Sequence, residues 1–563
     1  MMSISLPSPS RIIRLLLVVM LLLGGHVFRA TALQGQPGLH DPSTIIKHGN
    51  TYWTFATGDG IYSLYSTDLV HWRPGPRPVF PNNGYPSWIN SKVPGFAGLF
   101  WAPECFFMNG KYYLYYSCST FGSGFSAIGL VTNPTLDPNS PDYRWTDQGE
   151  VISSTAINSS QPNAIDPAIF RDANNRVWLT YGSYFGGIRV VELNPTSGKL
   201  LNTNQFAVGN NGAEAAYIKE HDGYYYLFLN RGTCCQGALS TYHILVGRSL
   251  SPTGPFLDQQ GVDLNNGGGT TLLSGSGRYR GPGHAGILEE GGVNYFSYHY
   301  YDSYDGGVPK LGLAQLIWTT AGWPSISRDW VTAGRYVIST AQTSGLVWEA
   351  GCASGSTPIT QNTFSNQPCQ QWNFAALGNG DYRVTNQQGG LTASVAGCSD
   401  AAGAKLQLGA YTDDDCQRFH IDRAANGTLV FASLNGNRVV EVPNASTAAG
   451  QQLGLWDYNG CSCQRWSLTP TNTPLAVKGA QLQDISIYPV PAGQQGFTVE
   501  LGTQPIREIT QVEVRNLLGA VVYQHVFGKQ QTTLSVAAGL QPGVYVVCVR
   551  RPSGSLTQKI TVL

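Results

Sequence analysis

Charge is scarce in this chain: Asp, Glu, Lys and Arg make up 12% of its 563 residues, about half the ~25% usual in soluble domains. The 34 basic and 34 acidic residues cancel to a formal net charge of zero, so nothing in the composition suggests a nucleic-acid or acidic-membrane partner, both of which want a basic surface. Membrane-spanning runs are missing too. The apolar stretch Leu15–Leu23 falls short of the ~20 residues a spanning helix needs, and no later segment qualifies. With Arg11 and Arg14 before it and Ala30-Thr31-Ala32 after it, that stretch reads as a signal peptide over residues 1–32. The mature chain is then expected outside the cytoplasm, where its 11 cysteines read as bridges rather than redox groups. Polarity must come from Asn, Gln, Ser, Thr and Tyr, and 67 glycines and 32 prolines supply turns. Short strands and frequent turns point to an all-β fold, in three or four domains at this length.

One phrase recurs five times. A strand opens on a small or acidic residue, often followed by proline, and a turn then leads into a Tyr-rich strand. His40-Asp41-Pro42 precedes Gly49-Asn50-Thr51-Tyr52-Trp53, and Trp101-Ala102-Pro103-Glu104 precedes Asn109-Gly110-Lys111-Tyr112-Tyr113. Ile165-Asp166-Pro167, Ala213-Glu214-Ala215 and Pro282-Gly283-His284-Ala285 open the other three copies. Asn-Gly and Asp-Gly between such runs signal hairpins, and proline suits the first residue of a strand. Five copies about 50–70 residues apart predict a five-bladed β-propeller. If each phrase opens an innermost strand, one channel receives Asp41, Ala102 or Glu104, Asp166, Glu214 and His284. Folding alone gives no reason to gather like charges there. Singly, each has a plainer reading: Asp-Pro caps a strand start, and a lone histidine belongs to the core.

From about Gly345 the pattern changes. Gln370-Gln371-Trp372, Gln417-Arg418-Phe419 and Gln464-Arg465-Trp466 recur at a spacing of 47 residues, each preceded by a cysteine. Three such lobes predict a β-trefoil whose Gln-x-aromatic residues are mainly core. A sugar site there needs an acid, an aromatic platform and an amide in one lobe. The third lobe supplies them as Glu441, Gln452, Trp456 and Asn459; the second has Ser394 in place of the acid, and the first keeps Glu349 and Phe364. The Thr/Pro run at 469–474 reads as linker, and alternating strands after it predict a small Ig-like β-sandwich. The expected division is signal peptide 1–32, propeller 33–343, trefoil 344–469, linker 470–483 and sandwich 484–563.

With these motifs assembled, residues 34–340 resemble glycoside hydrolase family 43, specifically its endo-1,5-α-L-arabinanases. The resemblance rests on His40-Asp41-Pro42-Ser43, Thr57-Gly58-Asp59-Gly60, Phe100-Trp101-Ala102-Pro103-Glu104, Ser119-Thr120-Phe121-Gly122-Ser123 and Asn163-Ala164-Ile165-Asp166-Pro167. Gly212-Ala213-Glu214-Ala215, Cys234-Cys235, Gly267-Gly268-Gly269-Thr270 and Gly281-Pro282-Gly283-His284 extend it. It implies Asp41 as general base, Asp166 as a pKa-tuning carboxylate and Glu214 as general acid, with inversion at the reacting carbon. It implies a single central calcium, mostly water-coordinated, against His284. Sugar contacts are expected at Trp101, Phe121, His40 and Ser183. Glu104 departs from the family's usual aspartate. Residues 345–468 resemble a ricin B-type lectin domain. Residues 484–563 resemble a type IX secretion C-terminal sorting domain, which implies export across both membranes to a secreted or cell-surface location.

Inverting hydrolysis needs one protonated carboxyl for the leaving oxygen and one ionised carboxylate for water, ~6.5–9.5 Å apart. Asp166 beside Glu214 would raise the acid's pKa, since two close carboxylates resist ionising together. The expected substrate is plant cell-wall arabinan or another pectic polysaccharide, cut internally by a monomer. The rival readings are an exo-acting α-L-arabinofuranosidase or β-xylosidase, and a surface glycan-binding protein without activity. Cys234-Cys235 is open between a bridge of neighbours and two separate bridges.

Overall fold

The computed structural model describes residues 33–155, 162–352 and 357–471, and, towards the C-terminus, 485–493, 496–500, 510–516, 521–527, 533–536, 540–551 and 554–562. The expected signal peptide and most of the expected linker lie outside the described residues. Two units separate, with the division at Thr471.

The first unit begins with five antiparallel sheets, the five blades. Their hairpins close on the turns the sequence marked, such as Lys47↔Tyr52 across Gly49-Asn50 and Met108↔Lys111 across Asn109-Gly110. Alternation then buries one row of side chains against each neighbouring blade. Phe100, Leu114, Tyr116 and Val131 pack in one such seam, and Phe228, Ile244, Phe296 and Tyr298 in another. Each fully buried side chain of this size contributes roughly 1.5–3 kcal/mol. The ring is closed by the start of the chain. Leu39 N–H donates to Pro309 O and Leu311 N–H to Pro37 O in the fifth blade, while Gln34–Gly35 pairs parallel to His71–Pro74 in the first.

The trefoil follows on the same unit, with Trp348, Trp372, Phe419, Phe431 and Trp466 in one core. Its three anchoring glutamines are equivalent: Gln370, Gln417 and Gln464 accept from Ser365, Thr412 and Asn459 N–H. Disulfides join Cys352 to Cys369, Cys398 to Cys416 and Cys461 to Cys463. One boundary differs from the expected 343. The strand Gly334–Thr340 pairs with Trp466–Pro470 and Trp372–Gly378, so the trefoil starts before it, after the last propeller strand Pro324–Ser327. Its partner lies about 130 residues away in the chain, a pairing no local pattern reveals.

Propeller and trefoil share a buried junction. Val70 packs with Ala424, Val430, Ala432, Val439 and Tyr458. Asp68 Oδ2 there accepts from Tyr458 Oη (2.7 Å) and Arg465 Nη2 (2.8 Å). In the second unit, Ile487, Val499, Val512, Val514, Val547, Val549 and Val562 form an apolar core of their own.

Candidate active site

Each blade opens on the same local distortion. Asp41, Ala102, Asp166, Ala215 and His284 have φ of 47°, 39°, 55°, 49° and 61°. The left-handed region costs a residue with a side chain on the order of 1–2 kcal/mol, so five-fold repetition marks a purposeful turn. In blades two, four and five the register slips by one residue at this point, after Trp101, Glu214 and Gly283. Such a bulge re-aims the side chains beside it.

A ring of hydrogen bonds fixes the turns. Asp41 N–H donates to His299 Nδ1 (3.2 Å), Ala102 N–H to Thr57 Oγ1 (3.0 Å), Asp166 N–H to Ser117 Oγ (3.0 Å) and His284 N–H to Asn230 Oδ1 (3.0 Å). Each acceptor sits on the second strand of one blade, or, for Thr57, just past its end, and serves the turn of the next. Blade three has Gly182 at that position, at φ 126°, where a Cβ would lie 2.2 Å from Gly187 O. With no side chain there, Ala215 N–H donates instead to Asp166 Oδ2 (3.2 Å). The gap in the ring thus ties Asp166 to the backbone beside Glu214.

The turn also settles the repeat's register. Ala102, not Glu104, stands at the position of Asp41, and Glu104 is buried further along its strand, accepting from Thr44 N–H (2.8 Å). Glu214 is displaced as well: Ala215 occupies the turn, and Glu214 matches His40, Trp101, Ile165 and Gly283 in the preceding row. The carboxylate nevertheless joins the same centre. Trp101, Ile165 and Glu214 line one cavity of about 260 Å³.

The carboxylates are separated electrostatically. Burial pushes Asp41 up, but the adjacent His40, His284 and His299 overcome it and hold Asp41 well below the ordinary range. Its Oδ2 accepts from His40 Nδ1 (2.8 Å) and Thr57 Oγ1 (2.8 Å). Burial raises Asp166 to about 7, helped by Glu214 and Asp41 and opposed by His284. Burial and the charge of Asp41 raise Glu214, against the hydroxyl of Tyr242, which donates to Oε2 at 2.9 Å. Of the two raised carboxyls, Glu214 lines the cavity and Asp166 does not. Asp41 is thus pushed towards its ionised form and Glu214 towards its protonated one, the division acid–base chemistry needs.

The cavity wall is aromatic. Trp101 and Phe121 lie 4.8 Å apart between ring centres, and Phe121 is 82% exposed. Tyr184 and Phe185, both exposed, extend this wall, and the sequence reading passed over them. Ser183 is buried on the lining and accepts from Asn163 Nδ2 (3.3 Å). His40 is not on the lining; it bridges Asp41 and Tyr301 Oη (2.6 Å). Tyr242, Tyr301, Thr57 and Asn230 were also missed, because their second- and third-strand positions converge only after folding. Cys234 and Cys235 form a bridge of neighbours.

His284 can be tested against a metal by its surroundings. Its Nδ1 lies 3.6 Å from Asp41 Oδ1, and Asp41, Asp166 and Glu104 act on it together. Burial lifts Glu104 and Asp166 to about 7, so a cation beside them would favour their ionised forms. Among the described residues, no tight group of three protein ligands includes His284. The donors fit an ion completed by water oxygens, as calcium's 6–8 ligands would require. In the trefoil, Gln452 Nε2 donates to Leu406 O and Asn459 Oδ1 accepts from Cys461 N–H. Both amides are committed to backbone. Trp456, 45% exposed, lies across the strand pair from Val439, two residues before Glu441. Glu441 Oε2 accepts from Gln464 Nε2 (3.2 Å).

A propeller channel with one carboxyl pushed towards ionisation and another raised beside an aromatic cleft is the arrangement of a glycosidase. The sequence model of glycosyl hydrolases family 43 matches residues 36–324, and the chain belongs to that family. A ricin-type β-trefoil lectin-like domain matches residues 318–409 and 415–478, and a secretion system C-terminal sorting domain matches 486–563. The last assigns the protein to a secretion route, and no described helix is long and apolar enough to cross a membrane. The chain is 39% identical over 308 residues to an extracellular exo-α-(1→5)-L-arabinofuranosidase of Cellvibrio japonicus, covering 52% of this chain and 87% of the relative. It is 39% identical over 295 residues to an extracellular endo-α-(1→5)-L-arabinanase of Bacillus subtilis, covering 51% and 87%. An exo-1,5-α-L-arabinanase structure from a bovine ruminal metagenomic library superposes with a TM-score of 0.50 at 38% identity, over 53% of this chain and 99% of that one.

Proposed function

We propose that this protein hydrolyses α-1,5-linked L-arabinan internally and with inversion. Glu214 protonates the leaving oxygen, and Asp41 takes a proton from the water that attacks the opposite face of the sugar. Asp166 holds the backbone beside the acid through Ala215 N–H, while burial and the charge of Asp41 keep the acid's pKa up. One observation carries the reading: the buried centre pushes the pKa of Asp41 down and that of Glu214 up, with Glu214 facing the cavity. Trp101 and Phe121 pack on sugar rings, and Ser183 offers a hydroxyl from the lining. His40 acts through Asp41.

His284 would hold a calcium ion, largely water-coordinated, near Asp41, Asp166 and Glu104. Such an ion supplies positive charge that offsets buried carboxylates. The trefoil's third lobe, through Trp456 and Glu441, is the expected carbohydrate contact, bringing a monomeric enzyme to cell-wall arabinan or another pectic polymer.

The endo-acting Bacillus relative supports internal cleavage. A second reading, exo action, is supported by the Cellvibrio relative and the ruminal structure. Time-resolved product analysis on linear arabinan separates them: a ladder of oligosaccharides is expected early, and monosaccharide or one short product alone from the first minutes would overturn the endo reading.

A further inference from the structure

The bridge between Cys234 and Cys235, in the loop between the strand Tyr224–Arg231 and the short helix Gly237–Leu239, reaches the residues around the general base. Cys235 N–H donates to Tyr301 Oη (2.8 Å), and Cys234 Sγ lies 3.6 Å from the same oxygen. Tyr301 Oη meets His40 Nε2 at 2.6 Å, and His40 Nδ1 meets Asp41 Oδ2 at 2.8 Å. Four groups thus run in line from the disulfide to the carboxylate.

The chain of donors has a direction. An ionised Asp41 can only accept, so the proton between it and His40 sits on Nδ1. Burial keeps Tyr301 a phenol. Its oxygen takes the Cys235 N–H on one lone pair and meets His40 Nε2 at hydrogen-bond distance. Stacking on His299, with ring centres 4.2 Å apart, leaves the His40 ring little freedom to turn over. The weak point is the far end. Cys235 stands at φ 66°, a backbone conformation that a residue with a side chain adopts at a cost. The covalent ring through both sulfurs restrains it there. Cys235 is also exposed, so a reductant can reach it.

We infer that the Cys234–Cys235 disulfide and Tyr301 form a strut that orients His40, and through it Asp41, so that opening this disulfide slows hydrolysis. This rests on the assignment of Asp41 as base. The opening is a thiol–disulfide exchange: a dithiol gives up two electrons and two protons, the S–S bond breaks to two thiols, and the dithiol closes to its own cyclic disulfide. Without the ring, Cys235 relaxes from positive φ and its N–H leaves Tyr301. Tyr301 and both cysteines are positioning residues and do not touch substrate.

The test uses the full chain. Hydrolysis of linear arabinan by the untreated enzyme checks the functional reading; the ratios below check the strut. Tyr301→Phe and the double variant Cys234→Ser/Cys235→Ser are each expected to lower kcat about tenfold with KM within about twofold. Dithiothreitol should bring the wild type to the level of the double variant. The trefoil disulfides open in both proteins, so the double variant should lose no further kcat. On protein labelled with nitrogen-15 at histidine, His40, assigned with His40→Gln, should show a protonated Nδ1 and an Nε2 resonance that shifts in Tyr301→Phe. That readout needs no turnover. The strut is refuted if either variant keeps wild-type kcat, if losses appear only in KM or melting temperature, or if the His40 nitrogens do not change.

Discussion

Tyr242→Phe tests the electrostatics of the acid most sharply. The phenol is buried and donates its hydroxyl to Glu214 Oε2 at 2.9 Å. It is the largest influence opposing the rise in the Glu214 pKa. Burial keeps Tyr242 un-ionised, so it is a donor throughout the working range. A hydrogen bond to a charged group contributes about 1.5–3 kcal/mol, and 1.36 kcal/mol corresponds to one pKa unit. Protonated Glu214 keeps part of that contact, so the net change is roughly one unit, upward. The acid works while protonated; activity falls as pH rises through its pKa. Removing the hydroxyl should therefore shift the alkaline limb of kcat/KM up by about one unit. The acidic limb, set by Asp41, should stay in place. Phenylalanine fills nearly the same volume, so melting temperature should change little. The assay is initial-rate hydrolysis of linear arabinan across pH. An alkaline limb that stays put or moves down would refute the argument.

Three further expectations concern other parts of the molecule. Asp68 is held below the ordinary carboxylate pKa: burial opposes this, but backbone N–H of His71 and Val70, Tyr458 and Arg465 outweigh it. Its stabilisation is complete above the unfolded pKa of ~3.9 and is lost as pH falls through the lower folded value. Asp68→Asn should thus cost about 3 kcal/mol at neutral pH, with the gap to wild type closing below about pH 4, as read by chemical denaturation. Chelation with EDTA followed by calcium add-back should lower and then restore activity and melting temperature; no change in either would count against the ion at His284. Trp456→Ala should abolish retardation in an arabinan gel while leaving kcat on soluble oligosaccharide intact; unchanged retardation would refute the third lobe as the contact.

Much of the propeller is legible in the sequence because each blade announces itself locally, by Asn-Gly or Asp-Gly hairpins and by acid-proline strand starts. The three carboxylates follow from that repeat. The displacement of Glu214 by one residue does not, since Ala213-Glu214-Ala215 offers no proline to fix the phase and only the positive φ of Ala215 marks the turn. The supporting residues are illegible for another reason. Thr57, Ser117, Asn230 and His299 act on the turn of the next blade, at separations set by loop lengths, and Gly182 acts by what it lacks. Trp456 was visible as an aromatic, but the bond of Gln452 to Leu406 O depends on trefoil closure. The strand Gly334–Thr340 alternates like any other, so its allegiance appears only in its pairing with Trp466–Pro470.

The central claim is that Glu214 is the proton donor of a retained hydrolytic centre. Glu214→Gln keeps the shape and removes the proton, so kcat on linear arabinan measures that claim directly. The account predicts a loss of about 10²–10⁴-fold with folding and trefoil binding unchanged; hydrolysis at the wild-type rate would contradict it.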